Sequence, residues 1–164
     1  MDHREGERID HARARLASLV APISEGEPWP LADAFGTEPE ASWGPREVLA
    51  HLAEMLPFWL GELERVVDGG TGVPFGRVAE DGVRIGLIER DRSLPLRALS
   101  GRIDRGLDEW AERLASLGDD ERRAVGRHSR LGELSAEQLA ERFVIGHVED
   151  HIAQLEAILA DRSN

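Results

Sequence analysis

Apolar residues recur at intervals of three and four in four separate stretches of this chain, and that pattern constrains its fold more than any other feature. Such spacing places the apolar side chains on one face of a helix. The stretches cover approximately residues 5–20, 45–68, 94–117 and 135–160. Because each apolar face has to be buried against other helices, the sequence predicts one all-α domain, residues 1–164, folded as a helical bundle. No convincing strand is predicted.

Local signals define the predicted ends of the first two helices. Pro22 is expected to close the first helix. The second helix is predicted to start at Pro45, which suits a first helical turn, after Gly44 as the N-cap. Trp43 can pack on Val48 as a hydrophobic staple. This helix is expected to run to residue 68, before a Gly-Gly pair.

Pro57 is expected to bend the second helix without ending it, since the same apolar face continues on both sides.

The last two helices also have local signals at their predicted ends. Ser93 is the predicted cap of the third helix, and Gly118 its stop. Ser135 opens the fourth helix, and Gln138 completes a capping box with it.

Two long connections separate these helices. Residues 25–43 combine prolines with scattered aromatics, which favours an ordered loop lying on the bundle. Residues 69–92 are rich in glycine but lack the Gly-Lys-Ser/Thr ending and the preceding strand of a phosphate loop. We predict a long loop there with one short helix near residues 82–90.

Charge and composition exclude several functions. The chain has 32 acidic and 20 basic residues, a formal charge of -12, so phosphate backbones would be repelled and no nucleic acid partner is expected. Cysteine and lysine are absent, which excludes thiolate ligands, disulfides and Schiff-base chemistry. Any metal must therefore be held by His, Asp or Glu. The charged N-terminus and the lack of a long apolar run predict a cytoplasmic protein without a membrane partner.

Two histidines lie on the apolar face of the fourth predicted helix. His147 and His151 are four residues apart, so one ring nitrogen from each can converge on a single ion. Alternatively, each ring is a core histidine hydrogen-bonded to a carbonyl or carboxylate. His51, at the margin of the second helix's apolar stripe, is the candidate third ligand, or else a histidine at a helix boundary. His128 is expected to cap or brace the loop before the fourth helix rather than to bind metal.

The other histidines are weaker candidates for metal ligands, and two known metal-binding motifs do not match the sequence. His3 lies in a terminus that is expected to fray, and His11 falls off the apolar face of its helix. The chain reads H-V-E-D-H where a zincin requires H-E-x-x-H, which rotates the glutamate by about 100° around the helix. The Glu-x-x-His pattern of di-iron bundles is absent.

Polar residues one turn away could orient the rings. Asp150 follows His147 by three residues, and Gln154 follows His151 by three. Both could instead be ordinary solvated helix surface. Glu54, three residues after His51, could accept that ring's other N–H, although it points further from the apolar stripe.

Three motifs in this order resemble a known family. They are W-G-P-R-E-V-L-A-H-L at 43–52, H-S-R-L-G-E-L-S at 128–135 and H-V-E-D-H-I-A-Q-L at 147–155. The combination is similar to the DinB-like or YfiT-like metalloenzymes, which often have Ser or Thr where Gly44 stands. The resemblance implies a four-helix bundle with a long crossover loop, often a homodimer. It also implies a divalent metal held by His51, His147 and His151. Zn or Ni is preferred to Fe, Mn or Co as its identity.

The same resemblance implies a class of reaction. Three neutral imidazoles would leave the ion an open position, for a water or for a thiol. Relatives use mycothiol, bacillithiol or glutathione, so a low-molecular-weight-thiol-dependent S-transferase or isomerase acting on a small-molecule substrate is the leading hypothesis. Arg77 or Arg84 would receive a carboxylate of the cofactor or substrate. The alternatives are an amide or ester hydrolase, a non-catalytic metal-binding stress-related protein, and a plain helical interaction domain.

Overall fold

Residues 3–33 and 40–164 are described by the computed structural model. Its helices are α1 (His3–Glu25), α2 (Pro45–Asp68), α3 (Gly82–Asp91), α4 (Leu96–Ser116), α5 (Asp119–Arg123), α6 (Ala136–Ala140) and α7 (Gly146–Arg162). A 3₁₀ turn covers Glu40–Ser42, and a π-helical segment, Glu141–Ile145, joins α6 to α7. The strands are β1 (Val73–Phe75), β2 (Val125–His128) and β3 (Gly132–Ser135).

Helices α1, α2, α4 and α7 form the predicted four-helix bundle. Helices α4 and α7 each pack against both α1 and α2. Because α3 and the strands also cover α2, that helix is buried on more than one side and supplies much of the core. The largest fully buried side chains come from the predicted apolar stripes, among them Leu16, Leu52, Leu63, Ile103 and Trp110. Burial of each such side chain contributes roughly 1.5–3 kcal/mol.

Several predicted helix ends are confirmed. Helix α2 begins at Pro45 and ends at Asp68, and it continues through Pro57. Ser135 and Gln138 form the predicted capping box, with Ser135 Oγ accepting from the Gln138 N–H at 3.1 Å and Gln138 Oε1 accepting from the Ser135 N–H at 2.9 Å. The short helix predicted near residues 82–90 is α3, which is capped by the Asp81 side chain.

Other predicted ends are wrong. Pro22 does not close α1, which continues to Glu25 and buries Ile23 completely. Proline removes one backbone hydrogen bond, and burial of Ile23 favours the extra turn. Ser93 does not cap α4, whose N-cap is Pro95. The predicted stop of this helix is confirmed, since Gly118 directly follows the Leu117 C-cap, and it also serves as the N-cap of α5.

The prediction that the chain has no strand is also wrong. β1 pairs with β2 in parallel, with Val73 opposite Gly126, and β2 pairs with β3 antiparallel, with His128 opposite Gly132. Strands of three or four residues are too short to show a two-residue alternation. Gly126 permits close packing on α2, since a Cβ there would lie 2.7 Å from Val66 Cγ2.

The connection between α1 and α2 is described only in part. Residues 34–39 of the loop predicted at 25–43 lie outside the described residues. In the described part, Trp29 is buried and its Nε1 donates to the Ile23 carbonyl at 2.8 Å, so this part lies on the bundle as predicted. The 3₁₀ turn lies at the edge of α7, where Gln154 Nε2 donates to the Glu40 carbonyl. Within residues 3–33 and 40–164, no helix meets the length and apolarity that a bilayer span requires.

Candidate metal centre

Helices α2 and α7 bring three imidazole rings together. His51 Nε2 lies 3.1 Å from His147 Nε2, and His151 Nε2 lies 3.1 Å from the same atom. His51 and His151 are each 3% exposed. The helical spacing of four residues places His147 and His151 on one face of α7, and the packing of α2 against α7 supplies the third ring.

The hydrogen bonds on the far side of two rings fix their tautomers. His51 Nδ1 lies 2.8 Å from Glu54 Oε1, and His151 Nδ1 lies 2.9 Å from Gln154 Oε1. Both oxygens are acceptors, so the ring hydrogen of each neutral imidazole is on Nδ1. The Nε2 lone pairs of His51 and His151 then both face His147 Nε2, which has at most one hydrogen to donate. A shared cation would satisfy all three nitrogens at once.

The two separations from His147 Nε2 fit a single divalent ion, and the ligand atoms of the cluster all lie within 4.8 Å of one another. Ligands about 2.0–2.1 Å from a tetrahedral ion lie about 3.4 Å from each other. The separations of His147 Nε2 from the other two nitrogens, 3.1 Å each, are within a few tenths of an ångström of that value. The cluster can therefore hold a metal ion.

A carboxylate completes the cluster. Glu40, in the 3₁₀ turn, has Oε2 3.3 Å from His151 Nε2 and Oε1 3.9 Å from His51 Nε2. Its side chain is 33% exposed, and Arg84 Nη2 donates to Oε1 at 2.6 Å. Sequence reasoning missed Glu40, because it lies in a loop without periodicity, eleven residues before His51 and more than a hundred before His147, so no helical spacing links it to a histidine of the site.

The polar residues behind the rings are arranged unevenly. Gln154, predicted to orient a ring, contacts His151 and also donates from Nε2 to the Glu40 carbonyl at 2.6 Å. Asp150 is exposed and lines the cleft next to His147. Glu54, which was expected to point further from the apolar stripe, is 3% exposed and directly contacts His51. It is held by Arg77 Nη2, which donates to both of its oxygens at 2.6 and 2.7 Å.

Burial keeps the imidazoles of His51 and His147 neutral. It lowers the pKa of His51 well below its ordinary value, and repulsion from any proton on His151 and from the Arg84 guanidinium acts in the same direction. It also lowers the pKa of His147 to about 4. For Glu40, burial acts to raise the pKa, but the hydrogen bond from His151 and nearby positive charges lower it overall. Neutral imidazoles are the form that binds a metal ion.

Arg77 and Arg84 both lie at the site and both form ion pairs there. Arg84 donates to the Ala79 carbonyl at 2.9 Å as well as to Glu40. Arg77 pairs with Glu54 and lies over the Phe58 ring at 4.0 Å. Their predicted contact with a ligand carboxylate stays a prediction.

The remaining histidines lie outside the cluster. His128 is buried at the end of β2, and its Nδ1 accepts from the backbone N–H groups of Arg130 at 3.2 Å and Leu131 at 3.3 Å. It braces the turn into β3. His3 and His11 are exposed on α1.

Two openings reach the cluster, and Glu40 and His147 line both of them. The inner cavity has a volume of about 170 Å³ and is lined by Trp59, Arg77, Val78 and Phe143. The outer cleft has a volume of about 440 Å³ and runs along α7 past Asp150 and Asp161. The inner cavity also contacts His51, and the outer cleft contacts His151.

Comparisons with known proteins agree with this architecture. A sequence model of the DinB superfamily matches residues 8–155. No curated protein matches the chain. Among solved structures, YfiT from Bacillus subtilis aligns with a TM-score of 0.67 at 14% identity, covering 99% of this chain and 89% of YfiT. YfiT is described as a probable metal-dependent hydrolase with an unusual four-helix bundle topology.

Proposed function

The chain belongs to the DinB superfamily, and from that premise we propose that it is a metal-dependent hydrolase that cleaves a small ester or amide. The observation that carries the proposal is the convergence of the Nε2 atoms of His51, His147 and His151 beside the Glu40 carboxylate. The likeness to YfiT, a probable metal-dependent hydrolase, supports the same class of reaction.

The three histidines would hold the ion. Because neutral imidazoles add no charge, a divalent ion would keep its full positive charge. Such an ion, when bound, polarises a carbonyl group and lowers the pKa of a water molecule to about 7. A set of three nitrogen ligands accepts several first-row metals. We propose that the ion is Zn or Ni rather than Fe, Mn or Co.

Glu40 would act as the general base and then as the general acid of the reaction. Its carboxyl group reaches the histidine cluster on one side and solvent on the other, since it is 33% exposed. Arg84 binds Oε1, which leaves Oε2 to accept the proton that an attacking water loses. The same atom can then donate that proton to the leaving group.

Gln154 fixes the position of the 3₁₀ turn that carries Glu40 relative to the histidine cluster. Its amide oxygen accepts from His151 and its amide nitrogen donates to the Glu40 backbone carbonyl. One side chain thus ties the orientation of a predicted ligand to the position of Glu40. Substitution of a residue that positions a metal ligand typically changes the reaction rate or the metal affinity, although the residue itself does not contact the substrate.

A second candidate is transfer of a low-molecular-weight thiol such as mycothiol, bacillithiol or glutathione. The outer cleft favours it, because its volume of about 440 Å³ is far larger than that of a water molecule and leaves room for a small thiol. A thiol bound there would reach His147 and His151. The absence of cysteine from the chain is compatible with a thiol supplied from outside.

A hydrolysis assay on metal-loaded protein tests the proposal. Protein carrying one equivalent of Zn²⁺ or Ni²⁺ is incubated with a panel of small aryl esters and anilides. We expect hydrolysis, and we expect Glu40→Gln to lower kcat by about 10²–10⁴-fold while the metal content is unchanged. The matched control is Glu133→Gln, at an exposed position on β3.

Three results would count against hydrolysis. Metal-loaded protein that cleaves no member of the panel contradicts it. Thiol adducts formed from an electrophile, without hydrolysis, would favour the second candidate. Loss of metal in Glu40→Gln would show that Glu40 is a permanent ligand of a closed site, which favours a non-catalytic metal-binding protein.

A further inference from the structure

We infer that the substrate carries a carboxylate on a short chain, and that Arg77 binds this carboxylate in the inner cavity. The inference rests on the proposed hydrolase function, because it names the substrate class of the same site. The two openings would then take different parts of the substrate, the acyl part inside and the leaving group outside.

The inner cavity limits the size of what enters it. Its volume of about 170 Å³ corresponds to about five or six times the ~30 Å³ that one water molecule occupies in the liquid. The side chains of Trp59, Val78 and Phe143 give it apolar walls. Trp59 and Phe143 stack with their centroids 4.2 Å apart, so this wall is held in place. A short aliphatic chain with one terminal group fits these limits.

Arg77 offers donors in this cavity. Its side chain is 8% exposed, and Glu54 and Phe58 hold the guanidinium group in one orientation. Within the described part of the chain, the hydrogen bonds of Arg77 to protein all come from Nη2. The Nε and Nη1 groups are thus left to solvent or to a ligand, and a guanidinium group presents such donors in a planar fork that matches a carboxylate.

The charges around the two openings set the direction of binding. The lining of the inner cavity carries two guanidinium groups, Arg77 and Arg84, and one carboxylate, Glu40, while Glu54 pairs with Arg77 from behind. A divalent ion in the histidine cluster would add further positive charge. The outer cleft has three carboxylates, Glu40, Asp150 and Asp161, in its lining and no arginine among the described residues. An anionic group is therefore attracted inward and repelled from the outer cleft.

Binding of matched inhibitors to Zn²⁺-loaded protein tests the inference. Succinic acid monohydroxamate binds a zinc ion through its hydroxamate and presents a carboxylate on two methylene groups. Its terminal amide has the same shape without the charge. By calorimetry we expect the acid to bind about tenfold more tightly than the amide. We expect Arg77→Met to remove this preference.

A second variant guards against misfolding of Arg77→Met. Ala79→Glu, at an exposed residue that lines the cavity, would supply a competing carboxylate and should also remove the preference. Arg127→Met, at an exposed arginine of β2, is the matched control and should keep it.

The outcomes separate the inference from the proposed function. Equal affinity of acid and amide for wild-type protein overturns the inference and leaves the hydrolase proposal standing. A preference that persists in both Arg77→Met and Ala79→Glu overturns it as well. If zinc itself is not held, the proposed function fails, and the inference fails with it.

Discussion

Glu54→Gln tests whether the carboxylate behind His51 supports the metal centre. Glu54 Oε1 lies 2.8 Å from His51 Nδ1, and the residue is 3% exposed. Gln offers an oxygen acceptor at the same reach, so the ring keeps its direction and its tautomer. The variant loses the negative charge that makes the imidazole a better donor to a cation. It also leaves the Arg77 guanidinium without its counter-charge beside the centre.

Both losses weaken metal binding, so a large effect is expected. Removal of such a partner of a ligating histidine costs about 10- to 100-fold in metal affinity. We predict a Zn²⁺ dissociation constant about 50-fold higher, which is about 2 kcal/mol. Competition with a chromogenic chelator at neutral pH measures it. The control is Glu64→Gln on the same helix, where the carboxylate pairs with Arg113 away from the centre. A folded Glu54→Gln protein whose affinity is within about twofold of wild type would refute this reasoning.

Two further predictions concern stability. Gly101→Ala in α4 meets open space and should stabilise the protein by about 1 kcal/mol, whereas Gly106→Ala would place a Cβ 2.8 Å from Leu56 Cβ and should destabilise it by about 1 kcal/mol. Urea unfolding that finds both variants stabilised contradicts this packing. The pKa of Asp91 is held below its ordinary value of 3.8 first by the hydrogen bond from Arg90, with burial opposing. Stabilisation by a carboxyl group with a lowered pKa is present above that ordinary value and is lost as the pH falls through the folded value. Asp91→Asn should therefore be less stable than wild type at pH 7, and the gap should narrow below about pH 4; a gap that widens there would be the opposite result.

The sequence was most informative where the signal is local. The apolar stripes of α1, α2, α4 and α7 depend on residues three and four apart, so the bundle follows from the sequence alone. The capping box of Ser135 and Gln138 and the pairing of His147 with His151 are local in the same way. Their geometry is fixed by one turn of helix, whatever the rest of the chain does.

What the sequence did not show depends on contacts between distant segments. Strand β1 exists because it pairs with β2, about fifty residues further on, and Pro74 makes it look unlike a strand. Glu40 joins the cluster through contacts with distant segments, among them the hydrogen bond from Gln154 of α7 to its carbonyl. Glu54 looked peripheral by helical position, yet β1 and the segment after it bring Arg77 over α2 and bury this pair.

Metal content measures the central claim most directly. Protein purified without a histidine tag and dialysed against Zn²⁺ should hold one equivalent per chain by elemental analysis. His147→Ala should hold none, while His11→Ala, at an exposed histidine of α1, should hold as much as wild type. Wild-type protein without stoichiometric metal, or His147→Ala with a full equivalent, would contradict a centre built from these three imidazoles.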